Sequence, residues 1–209
     1  MPEKLNQIIK LRRSVRSFTN EAPKKEDIDE IAASAMYAPY ALAATGLPIN
    51  EVRKVFILTG RLEKEARDLL ISQTKKNAGR INMMMTLLPF LRKKIGPFVQ
   101  RLKSISGAGI PSLNGATYYI IIAEKKGFPP VEKQSIAHAM QNMWLTATDK
   151  GLGFQLLSAT GAMSRNRQFL KLLGLPVGEY GIDGCVVGYA ANKPEAKVID
   201  TSKCVNWVE

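Results

Sequence analysis

The sequence predicts an α+β fold built around a small central sheet. Segments with helical and strand-like patterns alternate along the chain, but the strand-like segments are few and irregularly spaced, which argues against a doubly wound sheet. The 209 residues are 45% hydrophobic and 23% charged, a composition typical of a globular protein with a sizeable core. The chain contains neither an internal repeat nor a low-complexity linker, so we expect residues 1–209 to form a single domain.

Helical periodicity and chain-breaking residues define the elements of the first half. Ile28, Ile31 and Ala35 fall on one helical face, and Pro39 follows that helix. A β-branched run then predicts a strand, after which Gly60 introduces a polar helix. The predicted elements are helices over 5–11 and 26–37, a loop over 40–50, a strand over 52–59, a helix over 61–77, and a helical segment over 80–103 that is interrupted near Pro89 and at Gly96-Pro97.

The second half contains the clearest strand and the clearest helix. The run Ala-Thr-Tyr-Tyr-Ile-Ile-Ile-Ala is β-branched and aromatic, as in a buried strand. Ile136, Met140 and Met143 share one helical face, and Gly151 ends that helix. The predicted elements are a glycine-rich loop over 106–111, a strand over 116–123, a helix over 132–150, a short strand over 154–157, a helix over 165–173 closed by Gly174, a strand over 182–189, and a last strand over 205–208.

The residue types argue against several classes of site and of protein. Cys185 and Cys204 have no paired spacing, so we expect neither a disulfide framework nor a zinc site, and a reducing cytoplasm fits this chain. The single histidine, His138, argues against histidine-based metal or triad chemistry, and we interpret it as a packed or capped residue of its helix and not as a proton donor. We interpret Cys185 as a small core hydrophobe, and Tyr119 and Trp144 as core or subunit-interface residues. The sequence has no signal-peptide pattern and no apolar run long enough to span a bilayer, so we expect a cytoplasmic protein.

The formal net charge of +12 is unevenly distributed, because no acidic residue lies between Asp68 and Glu124. Such a segment attracts anions. We weigh three interpretations: nucleic-acid binding, contact of residues 69–103 with an anionic lipid surface, and a flexible cover over a pocket in which Met83–Met85 line an adaptable site. Because the segment has no nucleic-acid-binding motif and few aromatic residues, we expect no nucleic-acid partner, and we expect no stable insertion into a membrane. The basic residues of this segment are Lys75, Lys76, Arg80, Arg92, Lys93, Lys94, Arg101 and Lys103.

The most informative motif is Arg12-Arg13-Ser14-Val15-Arg16, which directly follows the first predicted helix. Guanidinium groups present rigid forks of donors that match phosphate oxygens, and the serine hydroxyl adds another donor. A phosphate site and a solvated basic face are the two interpretations of this cluster.

The order and spacing of several segments resemble the nitroreductase family. The resemblance runs from about residue 5 to 197, with a variable basic helical insert over about 61–113. It implies a central, mainly antiparallel sheet flanked by helices, and an intertwined homodimer with two FMN molecules at the subunit interface. The segments that carry it are the arginine cluster, Ala38-Pro39, the strand ending at Ala123, Gly151-Leu152-Gly153, Leu172-Leu173-Gly174-Leu175-Pro176 and Gly188-Tyr189.

The resemblance also assigns the cofactor-binding residues. By comparison with the family, the FMN phosphate and ribityl chain lie on the arginine cluster, together with a late basic residue. One segment lies along the flavin ring, and another covers its opposite face and offers a backbone N–H to N5. The residues so assigned are Arg12, Arg13, Ser14, Arg16, Lys197 with Lys193 as the reserve, Ala38-Pro39-Tyr40-Ala41, and Leu156-Leu157-Ser158-Ala159.

The resemblance implies that electrons pass from NAD(P)H through the flavin to a nitro compound, a quinone or another flavin by a ping-pong mechanism. No side chain is then needed as a catalytic group, and no metal is implied. The loop over 42–50 departs from the family pattern of asparagine, glutamine and Pro-Trp, and Tyr40 replaces a serine, which makes Tyr40 a possible substrate contact. This departure motivates the alternative of an FMN-storing or FMN-sensing protein with little turnover. The basic insert favours NADPH over NADH, and the physiological acceptor stays open.

Overall fold

Four antiparallel strands form the centre of the protein. The computed structural model describes residues 2–40, 45–88, 90, 92–113, 115, 117–192, 194–196, 198–201 and 204–208. The strands are β1 (Arg53–Leu58), β2 (Tyr118–Lys125), β3 (Gly153–Leu156) and β4 (Tyr180–Gly188), in the spatial order β1-β2-β4-β3. All three strand pairs are antiparallel, with Ile57 opposite Ile120 and Ile120 opposite Cys185. The predicted α+β class is therefore confirmed.

Seven α-helices lie in the part of the chain that the structure describes. Short 3₁₀ turns at Ala35–Tyr37, Pro111–Leu113 and Ser158–Arg165 join them to the sheet. The helices are α1 (Pro2–Leu11), α2 (Lys25–Ser34), α3 (Ile49–Val52), α4 (Gly60–Leu87), α5 (Arg92–Ala108), α6 (Glu132–Asp149) and α7 (Arg167–Leu172). None of the described helices is long and apolar enough to cross a membrane.

Helices cover both faces of the sheet, and alternate residues of β2 supply both cores. Ile120 and Ile122 face α2 and α6, whereas Tyr119 and Ile121 face α4 and α7. All four side chains are fully buried. A strand buried on both faces has no polar positions in its centre, which explains the unbroken apolar run in the sequence. Each fully buried aliphatic side chain stabilises the fold by about 1.5–3 kcal/mol.

A buried ion pair ties β1 and β2 to the turn after α2. Arg53 lies opposite Glu124 in the register, and its Nη2 is 2.7 Å from Glu124 Oε2. The guanidinium also donates hydrogen bonds to the carbonyl oxygens of Ala35 (2.6 Å), Ala38 (3.1 Å) and Pro39 (2.8 Å). Both charged side chains are completely buried. The predicted flavin-ring segment therefore begins at a turn that is fixed from within the core.

The helices of the basic segment are longer than predicted. Helix α4 runs through Gly79, where the sequence predicted a boundary, since a glycine costs only about 1 kcal/mol within a helix that buries its neighbour Ala78. Helix α5 runs through Pro97, where an interruption was predicted. Proline removes one backbone donor, but α5 packs against α4 and buries Val99 two residues later.

Other boundaries also differ in irregular regions. Residues 205–208 form no strand, contrary to the prediction, and a 3₁₀ turn occupies Ser158–Arg165, most of which the sequence assigned to no element. Helix α7 begins at Arg167, two residues later than predicted, because the Asn166 side chain caps it and accepts a hydrogen bond from the Phe169 N–H at 3.1 Å. Gly151 and Gly174 follow α6 and α7 with φ of 72° and 62°, the left-handed conformation that glycine adopts without strain.

Candidate functional site

The arginine cluster lies along the open edge of β3. Ser14 forms a parallel bridge with Phe154, and the Val15 N–H donates to the Phe154 carbonyl oxygen at 3.0 Å. A β-carbon on Gly153 would lie 2.9 Å from Val15 Cγ1, so only glycine permits this close approach. The cluster is therefore held beside the sheet by backbone hydrogen bonds and packing.

A stack of aromatic rings supports Arg12. Its guanidinium carbon lies 4.2 Å from the centroid of the Trp144 ring, and Trp144 stacks on Phe154 with centroids 5.0 Å apart and planes 18° apart. Stacking uses the face of a guanidinium and leaves the N–H groups at its edge free to donate. Among the described residues, none of Arg12, Arg13 and Arg16 forms an ion pair with an acidic side chain. Their donors are thus available to an anion.

A cavity of about 750 Å³ opens beside this segment. The structure brings Arg16 together there with Leu156, Leu157, Ser158 and Ala159, all of which the resemblance assigned to cofactor binding. Arg12, Arg13 and Ser14 do not line the cavity. The full lining is Arg16, Gln73, Thr74, Asn77, Arg80, Ile81, Phe98, Leu102, Ser104, Gly109, Ile110, Pro111, Ser112, Gln155, Leu156, Leu157, Ser158, Ala159 and Ala162.

The opposite wall of the cavity comes from α4 and α5, and sequence reasoning missed its residues. Gln73, Asn77, Arg80 and Ile81 follow the spacing of one helical face, which was the available signal. The methionine run Met83–Met85, which was one predicted lining, does not line this cavity, and Met83 and Met84 are exposed. The part of α4 that covers the cavity is therefore the turns before Met83.

Two polar atoms in the cavity wall lack hydrogen-bond partners among the described residues. They are Oε1 of Gln155, on β3, and Oγ of Ser112, in the 3₁₀ turn before β2. The Ser112 side chain is nearly inaccessible to solvent, with a relative exposure of 1%. An unpaired buried polar atom costs about 1–3 kcal/mol, so both positions favour a ligand that supplies the missing hydrogen bond.

The described residues of the segment predicted to lie along the flavin ring are separate from this cavity. Neither Pro39 nor Tyr40 lines the cavity of this chain. Pro39 is exposed, while the half-buried Tyr40 donates its hydroxyl to the Leu47 carbonyl oxygen at 2.8 Å. Three assigned residues, Ala41, Lys197 and the reserve Lys193, lie outside the described residues.

A smaller cavity of about 660 Å³ lies on the other side of the 3₁₀ turn Ser158–Arg165. Burial raises the pKa of Asp183 to about 6, although its Oδ1 accepts a hydrogen bond from the Gly184 N–H at 2.8 Å. Glu132 also lines this cavity and packs so closely on Gly181 that a β-carbon there would lie 2.6 Å from Glu132 Cγ. Since Gly181 and Asp183 are two apart on β4, both carboxyl groups lie on the same face of the sheet.

Four further side chains were interpreted from the sequence. Tyr119 is a core residue whose hydroxyl lies 2.7 Å from Thr160 Oγ1, and burial raises its pKa. Cys185 is a buried core residue, and burial raises the pKa of its thiol. Trp144 is half-buried beside Phe154. His138 is exposed, so its interpretation as a packed residue was wrong, because it lies on the outer face of α6, away from Ile136 and Met140.

A family model described as the nitroreductase family matches residues 9–189. The chain belongs to the nitroreductase family. Membership supports a general oxidoreductase role and confirms the family predicted from the sequence. None of the curated proteins is similar enough in sequence to count as a match.

Solved structures share the nitroreductase fold over nearly the whole chain. A nitroreductase with bound FMN from Bacteroides fragilis is 18% identical, with a TM-score of 0.73 and coverage of 98% of both chains. A nitroreductase with bound FMN from Desulfitobacterium hafniense is 20% identical, with a TM-score of 0.68 and coverage of 99% of this chain and 98% of that one. Oxidized iodotyrosine deiodinase bound to FMN and 3-iodo-L-tyrosine is 21% identical, with a TM-score of 0.65 and coverage of 98% and 99%. At these identities the similarity establishes the fold alone.

Proposed function

We propose that this protein is an FMN-dependent oxidoreductase that transfers electrons from NAD(P)H to a small acceptor by a ping-pong mechanism. The observation that carries the proposal is the shared cavity, in which Arg16 meets Leu156, Leu157 and Ser158 beside the docked arginine cluster. FMN in the solved nitroreductases of the same fold supports the choice of cofactor.

The residues present fit such a cofactor. A phosphate monoester needs several charge-assisted donors, and Arg12, Arg13, Ser14 and Arg16 supply them without competing acidic partners among the described residues. The unpaired Oε1 of Gln155 is an acceptor in the cavity, and the isoalloxazine ring carries one N–H donor, at N3. The apolar side chains of Leu156 and Leu157 suit a flat ring.

Bound FMN would supply the two-electron chemistry that links NAD(P)H to the acceptor in this pocket. The protein binds the phosphate through the arginine cluster and holds that cluster rigid through the Val15–Phe154 hydrogen bond. The 3₁₀ turn beginning at Ser158 presents backbone N–H groups beside the cavity. Helices α4 and α5 form the opposite wall of the cavity.

The active form that we propose is an intertwined homodimer. Pro39 and Tyr40 lie outside the cavity of their own chain, and in a homodimer the partner subunit supplies this segment. Large apolar side chains of α1 and of the C-terminal tail are also exposed in the single chain, as a shared interface requires. They include Leu5, Ile9, Leu11, Val205, Trp207 and Val208.

The cofactor assignment is tested on the purified protein by its flavin absorption spectrum and by the double variant Arg13→Ala/Arg16→Ala. Loss of two charge-assisted contacts, at about 1.5–3 kcal/mol for each contact, is expected to weaken FMN binding at least about a hundredfold. The matched control is Lys64→Ala/Lys75→Ala, which removes the same charge from exposed positions that do not line the cavity. An arginine variant that binds FMN as tightly as the control contradicts the assignment.

A second candidate is an FMN-storing or FMN-sensing protein with little turnover. It is favoured by the loop after Pro39, where the Tyr40 hydroxyl is already bonded to the Leu47 carbonyl oxygen instead of facing the cavity. Stopped-flow mixing of the holoprotein with NADH and NADPH separates the two candidates. Rapid bleaching of the flavin supports the oxidoreductase, whereas bleaching too slow for turnover supports storage. A faster reaction with NADPH is expected from the basic insert.

A further inference from the structure

The half of the cavity that faces away from β3 is built by the insert. Gln73, Asn77 and Arg80 of α4 line it from one helical face, and Phe98 and Leu102 of α5 complete the wall. These residues belong to neither the arginine cluster nor the β3 segment, so this half is a separate subsite within the same cavity. It defines what can lie next to the proposed cofactor.

The electrostatic character of this subsite is positive. Arg80 lines the cavity and forms no ion pair with an acidic side chain among the described residues. The sequence from residue 69 to 123 contains no acidic residue at all. An anionic group near Arg80 therefore meets no local repulsion, and the guanidinium fork matches a carboxylate.

The remaining wall of the subsite is mainly apolar. Phe98, Leu102 and Ile81 provide aromatic and aliphatic surface, which favours a flat apolar body. The nearly inaccessible Ser112 hydroxyl, which has no partner among the described residues, can donate or accept one hydrogen bond. Besides the amides of Gln73 and Asn77, which are hydrogen-bonded to each other at 3.0 Å, the lining thus combines one cation, one unpaired hydroxyl and an apolar surface.

We infer that the electron acceptor is an anionic, largely apolar small molecule whose acidic group binds Arg80 and whose body packs against Phe98 and Leu102. The inference rests on the proposed function, since it names the substrate class of that same cavity. It gives the basic insert a role in selecting the substrate.

The binding test uses benzoate and benzamide, which share a shape but differ in charge. Titration calorimetry measures both ligands on the holoprotein with Arg80 intact and on two variants. Arg80→Ala is expected to weaken benzoate binding about tenfold or more and to leave benzamide unchanged. Arg80→Lys keeps the positive charge but removes the planar guanidinium with its paired donors. It is therefore expected to give an intermediate affinity for benzoate.

The matched control is Lys75→Ala. Lys75 is exposed on the opposite face of α4 and does not line the cavity, but its removal changes the net charge equally. It is expected to leave benzoate binding unchanged. An equal loss in the control, equal losses for benzoate and benzamide, or no loss in Arg80→Ala each overturn the inference.

Turnover provides the second measurement, with 4-nitrobenzoate and 4-nitrobenzamide as acceptors. One NAD(P)H and one proton reduce the nitro group to a nitroso group, releasing water and NAD(P)⁺. Arg80→Ala is expected to raise KM for 4-nitrobenzoate alone, with kcat preserved. An effect confined to NADPH, with KM for 4-nitrobenzoate unchanged, assigns Arg80 to the nucleotide and overturns the inference.

The same preparations separate this inference from the proposed function. Flavin content and the rate of bleaching by NADH test the proposed function in the parent protein, independently of Arg80. A parent that holds and reduces flavin but does not distinguish benzoate from benzamide contradicts the anionic substrate alone. A parent without flavin contradicts the proposed function, and the benzoate titration still reports on Arg80.

Discussion

Arg53 shows how one buried charge on a strand can fix the conformation of a turn that is distant in the sequence. Its guanidinium contacts Glu124 on the neighbouring strand and three carbonyl oxygens of the turn at 35–39. Nothing in the local sequence distinguishes this arginine from the many surface cations of the chain, since burial and pairing follow from the strand register.

Arg53→Ala is expected to lower the free energy of unfolding by about 3–5 kcal/mol, because the buried Glu124 carboxylate loses its guanidinium partner. Urea denaturation measures the change. Arg53→Met/Glu124→Leu removes both charges and is expected to cost less than the single variant. Lys25→Ala, which breaks an exposed ion pair with Asp29, is expected to change little. A loss in Arg53→Ala no larger than in Lys25→Ala contradicts the expectation.

Asp183 makes stability depend on pH. Its pKa is about 6 in the folded protein against 3.8 as the ordinary value, so the native state binds more protons than the unfolded state between these values. Stability from this group is full below about pH 4 and is lost as the pH rises through about 6. The charged groups that line the same cavity are Lys126, Lys133, Arg165 and Glu132, but the pKa shift comes from burial, opposed by the Gly184 hydrogen bond.

Asp183→Asn keeps an acceptor for the Gly184 N–H and removes the charge. Relative to the parent, the variant is expected to gain up to about 3 kcal/mol above pH 6 and nothing near pH 4. Urea midpoints across this pH range measure the difference. A difference that is constant with pH assigns the effect to packing instead of ionisation.

At the residue scale, the sequence could identify the arginine cluster but not all of its surroundings. Arg16 lines the same cavity as Leu156, Leu157 and Ser158, and the resemblance assigned all four residues to one cofactor. Gln155 and Ser112 were not foreseen, because a single polar residue in a strand or turn carries no local pattern. Their importance arises from burial, which depends on the whole fold.

At the scale of elements, periodicity predicted α6 and β4 to within two residues at each end. It failed where tertiary contacts override local preference, as at Gly79 within α4 and at Pro97 within α5. It also failed at the 3₁₀ turn Ser158–Arg165, because tight turns lack a long repeat of apolar residues. The strands and helices that carry the core were thus predictable, and the elements that shape the cavity were less so.

The contact between β3 and the N-terminal segment gives an element-scale prediction. Gly153→Ala places a β-carbon against Val15 and is expected to cost about 1–3 kcal/mol of stability and to loosen the arginine cluster. Denaturation and FMN retention measure the two effects. Val15→Ala is expected to relieve part of the cost in the double variant, whereas Gly161→Ala, where a β-carbon makes only ordinary contact, is expected to be mild. Additive costs for Gly153→Ala and Val15→Ala contradict the proposed clash.

At the scale of the whole molecule, one chain forms the proposed cofactor cavity without the segment at Pro39 and Tyr40. A homodimer that completes the site is expected to show a melting temperature that rises with protein concentration. Trp207→Ser, at a side chain 92% exposed in the single chain, is expected to weaken the dimer, with Val177→Ser as the control. Light scattering after size exclusion measures the mass. A monomer that retains FMN contradicts this assembly.

The N-terminal segment also covers part of the sheet edge at which other copies of this chain could pair. β3 is an edge strand, and the backbone of Ser14 and Val15 occupies part of its free side. An uncovered edge is a template for pairing with other chains. Removal of residues 2–20 is therefore expected to cause aggregation as well as loss of the anion site, and turbidity during refolding measures it. On this proposal, the same few residues serve both ligand recognition and solubility.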